Sequence, residues 1–117
     1  MSDRVEEFYE KLKKLQEPKG LYFNKDREMV MELLNSLLEN MDRYGYTVCP
    51  CRLAAGKYEL DKDIICPCVY AQADIREYGS CYCGLYVSYT FNQGETEPVC
   101  VPERRPPEKT MAAVEII

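Results

Sequence analysis

The chain has 117 residues, enough for one hydrophobic core and too few for two. Hydrophobic residues make up 46% and charged residues 30%, a folding composition rather than that of a disordered acidic segment. The net charge of -5 argues against a nucleic-acid binder, no apolar run is long enough to span a membrane, and the absence of histidine removes every mechanism or metal site built on imidazole. The first ten residues, MSDRVEEFYE, carry four acids and do not read as a signal or transit peptide, so a cytoplasmic, reducing compartment is expected.

Val5, Phe8, Tyr9, Leu12 and Leu15 recur at helical spacing, with Ser2 or Asp3 available as N-cap. Glu17-Pro18-Lys19-Gly20 ends that helix. A second and clearer helix follows, for which Asn24 is the expected cap, Asp26 and Glu28 suit the positive N-terminal end, and Gly45 suits the exit. Its stripe of Val30, Leu33, Leu34, Leu37, Leu38 and Met41 reads as core. Residues 69–78 predict a short helix stopped at Gly79. Leu85 to Phe91 alternates weakly and predicts an extended segment, and Asn92-Gln93-Gly94 predicts a turn. Residues 98–107 hold four of the seven prolines, which excludes regular helix there. Thr110 to Ile117 is apolar enough to dock, a second copy of the chain being one candidate surface. The expectation is a single, mainly α domain over 1–117, with an N-terminal helix in 1–20, a core in 21–107 and a C-terminal extension in 108–117.

Seven cysteines stand at positions 49, 51, 66, 68, 81, 83 and 100. Six form Cys-x-Cys pairs: Cys49-Pro50-Cys51, Cys66-Pro67-Cys68 and Cys81-Tyr82-Cys83. Pro50 and Pro67 restrict the backbone between two of these pairs, which places them on turns or helix starts. In a reducing compartment a passive disulfide framework is not expected, which leaves a metal site, redox chemistry, or both. Four ligands and one disulfide would use six cysteines and leave one, most simply the isolated Cys100. Zinc knuckles use spacers of two to four residues, and simple ferredoxins use Cys-x2-Cys repeats; neither is present. Iron–sulfur ligation from three turns fits better, because a one-residue spacer lets one sulfur of a pair bind iron while its neighbour stays free.

The segments RYGYTVCPCR (43–52), CPCVY (66–70), CYC (81–83) and VPERRP (101–106) together resemble the catalytic chain of ferredoxin–thioredoxin reductase. That family carries CPCR, CPC and CHC in this order, followed by a PERRP-like segment, and the resemblance spans roughly residues 20 to 107. It implies helices packed around a loop-bound 4Fe-4S cluster held by Cys49, Cys66, Cys68 and Cys81. It also implies a redox-active disulfide between Cys51, the outer and attacking thiol, and Cys83, the cluster-facing one. The implied activity is reduction of thioredoxin or a similar disulfide with electrons from ferredoxin. The implied partner chain is a small variable subunit, for which a homodimer is the alternative. Two departures stand out. Tyr82 replaces the family histidine, and twelve residues separate Cys68 from Cys81, longer than the family norm.

Tyr82 has two readings, as a hydrogen-bond donor to a thiolate or cluster sulfur and as simple packing. Arg52 either lowers the pKa of Cys51 or makes a surface salt bridge. Arg104 and Arg105 either dock an acidic ferredoxin, with Arg52 and Arg76, or lie in a solvated loop. Cys100 reads as a buried small hydrophobe. Two other function classes stay open: a non-catalytic iron–sulfur carrier or sensor, and a zinc-binding interaction module. Iron and sulfide content separates the second from a cluster protein, and a reducible disulfide separates a reductase from a carrier.

Overall fold

A computed structural model describes residues 3–94 and 100–116. Helix α1 runs Asp3–Gln16 and ends in a 3-10 turn, Glu17–Lys19, with Gly20 left-handed at φ 83°. Of the two expected caps, Ser2 lies outside the described residues, and Asp3 is the first helical residue rather than a cap. The long helix α2 runs Arg27–Tyr44 and exits at Gly45, φ 87°. Its cap is Asp26, whose carboxylate accepts from the Met29 amide, and not Asn24. Asn24 is used two residues earlier. Its Oδ1 accepts from the Asp26 amide at 3.0 Å, and its Nδ2 donates to the Gly84 carbonyl at 3.1 Å.

The stripe on α2 is core, as its spacing predicts. Val30, Leu34 and Leu37 are almost fully buried and Met31 joins them, while Met41 at the far end is exposed. Val5, with Phe8, Tyr9 and Leu12 half-buried around it, packs α1 against this face. Leu15, one turn further on, is 52% exposed, so the α1 stripe stops contributing there. Strands β1 (Tyr22–Phe23) and β2 (Tyr86–Val87) pair antiparallel, Tyr22 with Val87 and Phe23 with Tyr86. An aromatic stack crosses that pair, Tyr9 on Phe23 at 4.8 Å and Phe23 on Tyr86 at 5.3 Å. It fixes the Tyr86 ring from α1 inward.

Short elements carry the rest. Helix α3 (Tyr58–Asp61) leads through a 3-10 turn at Lys62–Ile64, and α4 (Ala71–Tyr78) stops at Gly79, φ 81°, as predicted. The segment expected to be extended from Leu85 to Phe91 is strand only at Tyr86–Val87. Ser88 then caps a one-turn helix α5, Tyr89–Asn92, by accepting from the Phe91 amide. A local side-chain cap here outcompetes weak alternation. Helix α6 runs Pro107–Ile116 against α3, with Pro107 at its first position, where the missing amide costs nothing. Met111 and Val114 on it stay exposed. The structure is 58% helical, which bears out the mainly α expectation, and no described helix is long and apolar enough to cross a membrane.

Asp61 is the buried hub of the segment after the first cysteine pair. It is 0% exposed and accepts from Tyr46 Oη at 2.6 Å, the Ala55 amide at 2.9 Å and the Gly56 amide at 3.0 Å. Burial and this hydrogen bond raise the Tyr46 pKa well above the usual phenol value. Removing the carboxylate orphans three donors, so Asp61→Ala is expected to cost about 2–4 kcal/mol of stability in denaturant unfolding. Asp61→Asn, which keeps acceptor capacity on one oxygen, should cost less.

Candidate functional site

The three cysteine turns are drawn together by backbone hydrogen bonds. Val48 and Ile65 form an isolated antiparallel bridge, within which the Cys49 amide donates to Ile64 and the Cys66 amide to Thr47, both at 2.8 Å. The Arg52 amide returns to the Cys49 carbonyl and closes the first turn. The Cys66–Pro67 peptide is cis, and the Ala71 amide donates to the Cys68 carbonyl at the start of α4. The third pair sits on a turn between the Ser80–Val87 bridge and β2. There the Cys81 amide donates to Tyr86, and Gly84, at φ 80°, donates to Cys81. A left-handed residue is required at that closure, which is why glycine stands there.

These turns enclose a small cavity lined by Cys49, Cys66, Cys68, Cys81 and Cys83, together with Arg52 and Tyr82 and with Pro67, Ala71 and Tyr86 as its apolar wall. Cys49 and Cys81 are buried, Cys66, Cys68 and Cys83 half-buried, and Cys51 exposed. The Cys81 and Cys83 sulfurs are 3.8 Å apart, so here a one-residue spacer leaves two sulfurs in contact. A half-buried thiol thus lies against a buried one. Cys100 is exposed, contrary to the expected burial, and is not among the cavity residues.

Charge within the cluster is uneven. Hydrogen bonds from Cys51 and then Cys83 pull the Cys49 pKa down to about 3, and the same contact, seen from the donor, pushes Cys51 up to about 11. The hydrogen bond with Cys83 brings Cys81 down to about 7. Its three sulfur neighbours, Cys49 first, push Cys83 far up, and burial raises Cys66 and Cys68. The expected effect of Arg52 on Cys51 is therefore displaced: the guanidinium lowers Cys49 and Cys68 instead.

Arg52 is not a surface residue either. Its side chain is 2% exposed; Nη2 and Nε donate to Glu103, the shortest contact being 2.6 Å, and Nη1 donates to Cys68 Sγ at 3.4 Å. Its guanidinium carbon lies 4.5 Å from the Tyr82 ring centroid and 5.4 Å from that of Tyr70. Tyr82 therefore acts as a cation–π lid on Arg52. Lysine cannot reproduce both the fork and the stack. In Arg52→Lys, the Tyr82 and Cys68 contacts should loosen, read as faster alkylation of Cys68 in the metal-free protein.

The PERRP segment turns out to be a set of internal clamps. Glu103 holds Arg52. Arg104 donates to Asp74 at 2.6 Å and also pairs with Glu77, both on α4. Arg105, 3% exposed, donates to Asp63 at 2.9 Å and to the Leu60 carbonyl at 3.0 Å. Tyr70 Oη also donates to Asp63, at 2.7 Å. Docking through Arg52 and Arg105 is thereby corrected, because their side chains are buried in these pairs, whereas Arg104 is paired but stays exposed. Of the four candidates only Arg76 is exposed and outside the ion pairs found among the described residues.

Two residues of the site escape a reading by motif. Glu103 was visible only as part of a Pro-rich stretch. Tyr86 lies three residues past the last motif cysteine; it is 1% exposed, lines the cavity, and its hydroxyl has no partner among the described residues. An unsatisfied buried hydroxyl costs about 1–3 kcal/mol.

The donor set suits an iron–sulfur group. Soft sulfur ligands ring a water-poor cavity, and outer donors aim at them, the Tyr86 amide at Cys81 Sγ (3.4 Å) and Arg52 at Cys68 Sγ. Among the described residues no three Cys, Asp or Glu side chains converge closely enough to grip a single ion. Fold and site together define a small helical protein with a cysteine-lined cavity and an exposed thiol, Cys51, two residues from the cavity residue Cys49. The family model for the ferredoxin thioredoxin reductase catalytic beta chain matches residues 1–104, and the chain belongs to that family. No curated protein matches it.

Proposed function

We propose that the protein is a ferredoxin-dependent disulfide reductase whose target is thioredoxin or a similar disulfide. The observation that carries this reading is the gathering of sulfurs from all three turns, Cys49, Cys66, Cys68, Cys81 and Cys83, around one cavity, with Cys51, two residues after Cys49, exposed to solvent. Cys49, Cys66, Cys68 and Cys81 would hold a 4Fe-4S cluster; all four line the cavity. When bound, that cluster supplies electrons one at a time from ferredoxin, where a disulfide needs two.

The protein side of the reaction is thiol–disulfide exchange. The Cys51 thiolate attacks one sulfur of the target disulfide, a mixed disulfide forms, and the displaced target sulfur takes a proton. Cys83 then attacks Cys51 Sγ, which releases the second target thiol and leaves a Cys51–Cys83 disulfide. Two electrons and two protons restore the dithiol, so one target disulfide becomes two thiols per cycle. The second step is intramolecular, which favours it over release of the target by a thiol from solution. Tyr82 serves as a positioning residue: it caps Arg52, which holds Cys68 by a hydrogen bond.

Iron and acid-labile sulfide in anaerobically purified protein test this reading, with about four of each expected per chain. Zinc in their place would support an interaction module. A cluster without a reducible disulfide, by thiol count, would support a carrier. Cys66→Ser should lose most of its iron and Cys100→Ser should keep it; full iron content and an unchanged spectrum in Cys66→Ser would contradict the ligand set.

A further inference from the structure

We propose that the Tyr86 hydroxyl donates a hydrogen bond to a sulfur of the group held in the cysteine cavity, and so sets the reduction potential of that group. The inference rests on the reading above, that the cavity holds an iron–sulfur cluster. Three observations lead to it. Tyr86 is almost fully buried, and its hydroxyl has no partner among the described residues. The ring forms part of the cavity wall, beside Cys66, Cys81 and Cys83. Its orientation is imposed from outside the site, by the stack on Phe23 and, through Phe23, on Tyr9.

Buried hydroxyls in folded proteins nearly always find a partner. The cavity that Tyr86 lines is ringed chiefly by cysteine sulfurs, and a phenol is a competent donor to sulfur. A phenol, with an ordinary pKa of about 10, is protonated near neutral pH and able to donate. A donor aimed at cluster sulfur favours the reduced, more negative state and raises its potential. Tyr82, which stands where the family has histidine, is turned to Arg52. Both phenols line the cavity, and Tyr86 is the almost fully buried one, whose hydroxyl is left without a partner among the described residues. It is a positioning residue and takes no part in bond making.

The test is Tyr86→Phe, which removes one oxygen and keeps the stack. The anaerobically purified variant should hold as much iron as the wild type. Its reduction potential should move negative, and the deuterium-sensitive part of its iron–sulfur Raman bands should shrink after exchange into heavy water. An unchanged potential and an unchanged deuterium effect in the iron-loaded variant would overturn the inference while leaving the reductase reading intact. A wild-type protein without iron would remove both. If the phenylalanine variant fails to load, 3-fluorotyrosine at position 86 gives the complementary test. It is a stronger donor of nearly the same size, so the potential should rise, and no rise would overturn the proposal.

Discussion

Cys51→Ser is expected to lower disulfide reductase activity by about 10³-fold or more, because the exposed nucleophile is lost and no other cavity thiol reaches the surface as fully. Iron content should be unaffected, since Cys51 is not among the proposed ligands. Cys83→Ser should be equally inactive in turnover but different in outcome. With Cys51 intact and its resolving partner gone, the mixed disulfide accumulates and can be isolated with the target attached. Assay of single turnover, with non-reducing electrophoresis of the products, distinguishes the two. A Cys83→Ser protein that turns over normally would reverse the roles given to this pair.

The second large effect concerns stability. Arg105 and Asp63 form a buried pair at 2.9 Å, with side chains 1% and 8% exposed. Arg105→Ala leaves the carboxylate with Tyr70 alone and should cost about 3–5 kcal/mol. The denaturant midpoint should fall accordingly. A pH signature follows from the same contact. Burial alone would raise the Asp63 pKa, but the hydrogen bonds of Tyr70 and Arg105 prevail and hold it below the usual carboxylate value. A group depressed in the folded state stabilises above its unfolded pKa, near ~3.9, and that contribution is lost as pH falls through the lower folded value. Wild-type stability should therefore drop on acidification below about pH 4, and Arg105→Ala should show a flatter acid limb. Equal stability in the two proteins at neutral pH would contradict the clamp.

The parts of the fold governed by local spacing were legible in the sequence. The apolar stripes of α1 and α2 and the glycine stops at 20, 45 and 79 state their structural role within a single turn of chain. Choices between near-equivalent neighbours were less so. Asn24 and Asp26 are both good caps, and Asn24 loses that place because its amide is needed by the Gly84 carbonyl, sixty residues away. The alternation from Leu85 onward was overruled by Ser88, whose hydroxyl caps α5.

The same contrast holds at the site. Three Cys-x-Cys pairs declare a sulfur chemistry wherever they sit, and the structure gathers members of all three around one cavity. The arginines were misread because a charge beside a proline in sequence carries no information about its distant partner. Asp63 and Asp74, which bind Arg105 and Arg104, lie about 30 to 40 residues upstream of them. Tyr86 was invisible for a related reason: nothing in a two-residue strand says that its ring closes a cavity formed by three separate turns. These are tertiary pairings, and only the folded chain brings their members together.

The most direct test of the central claim is peptide mass spectrometry of the reduced, iron-loaded protein after brief treatment with a bulky alkylating agent. Cys51 should be labelled ahead of Cys83, with iron retained, reductase activity gone and the visible spectrum altered. Preferential labelling of Cys83, or equal labelling of both with an unperturbed spectrum, would contradict the assignment of one outward and one inward thiol.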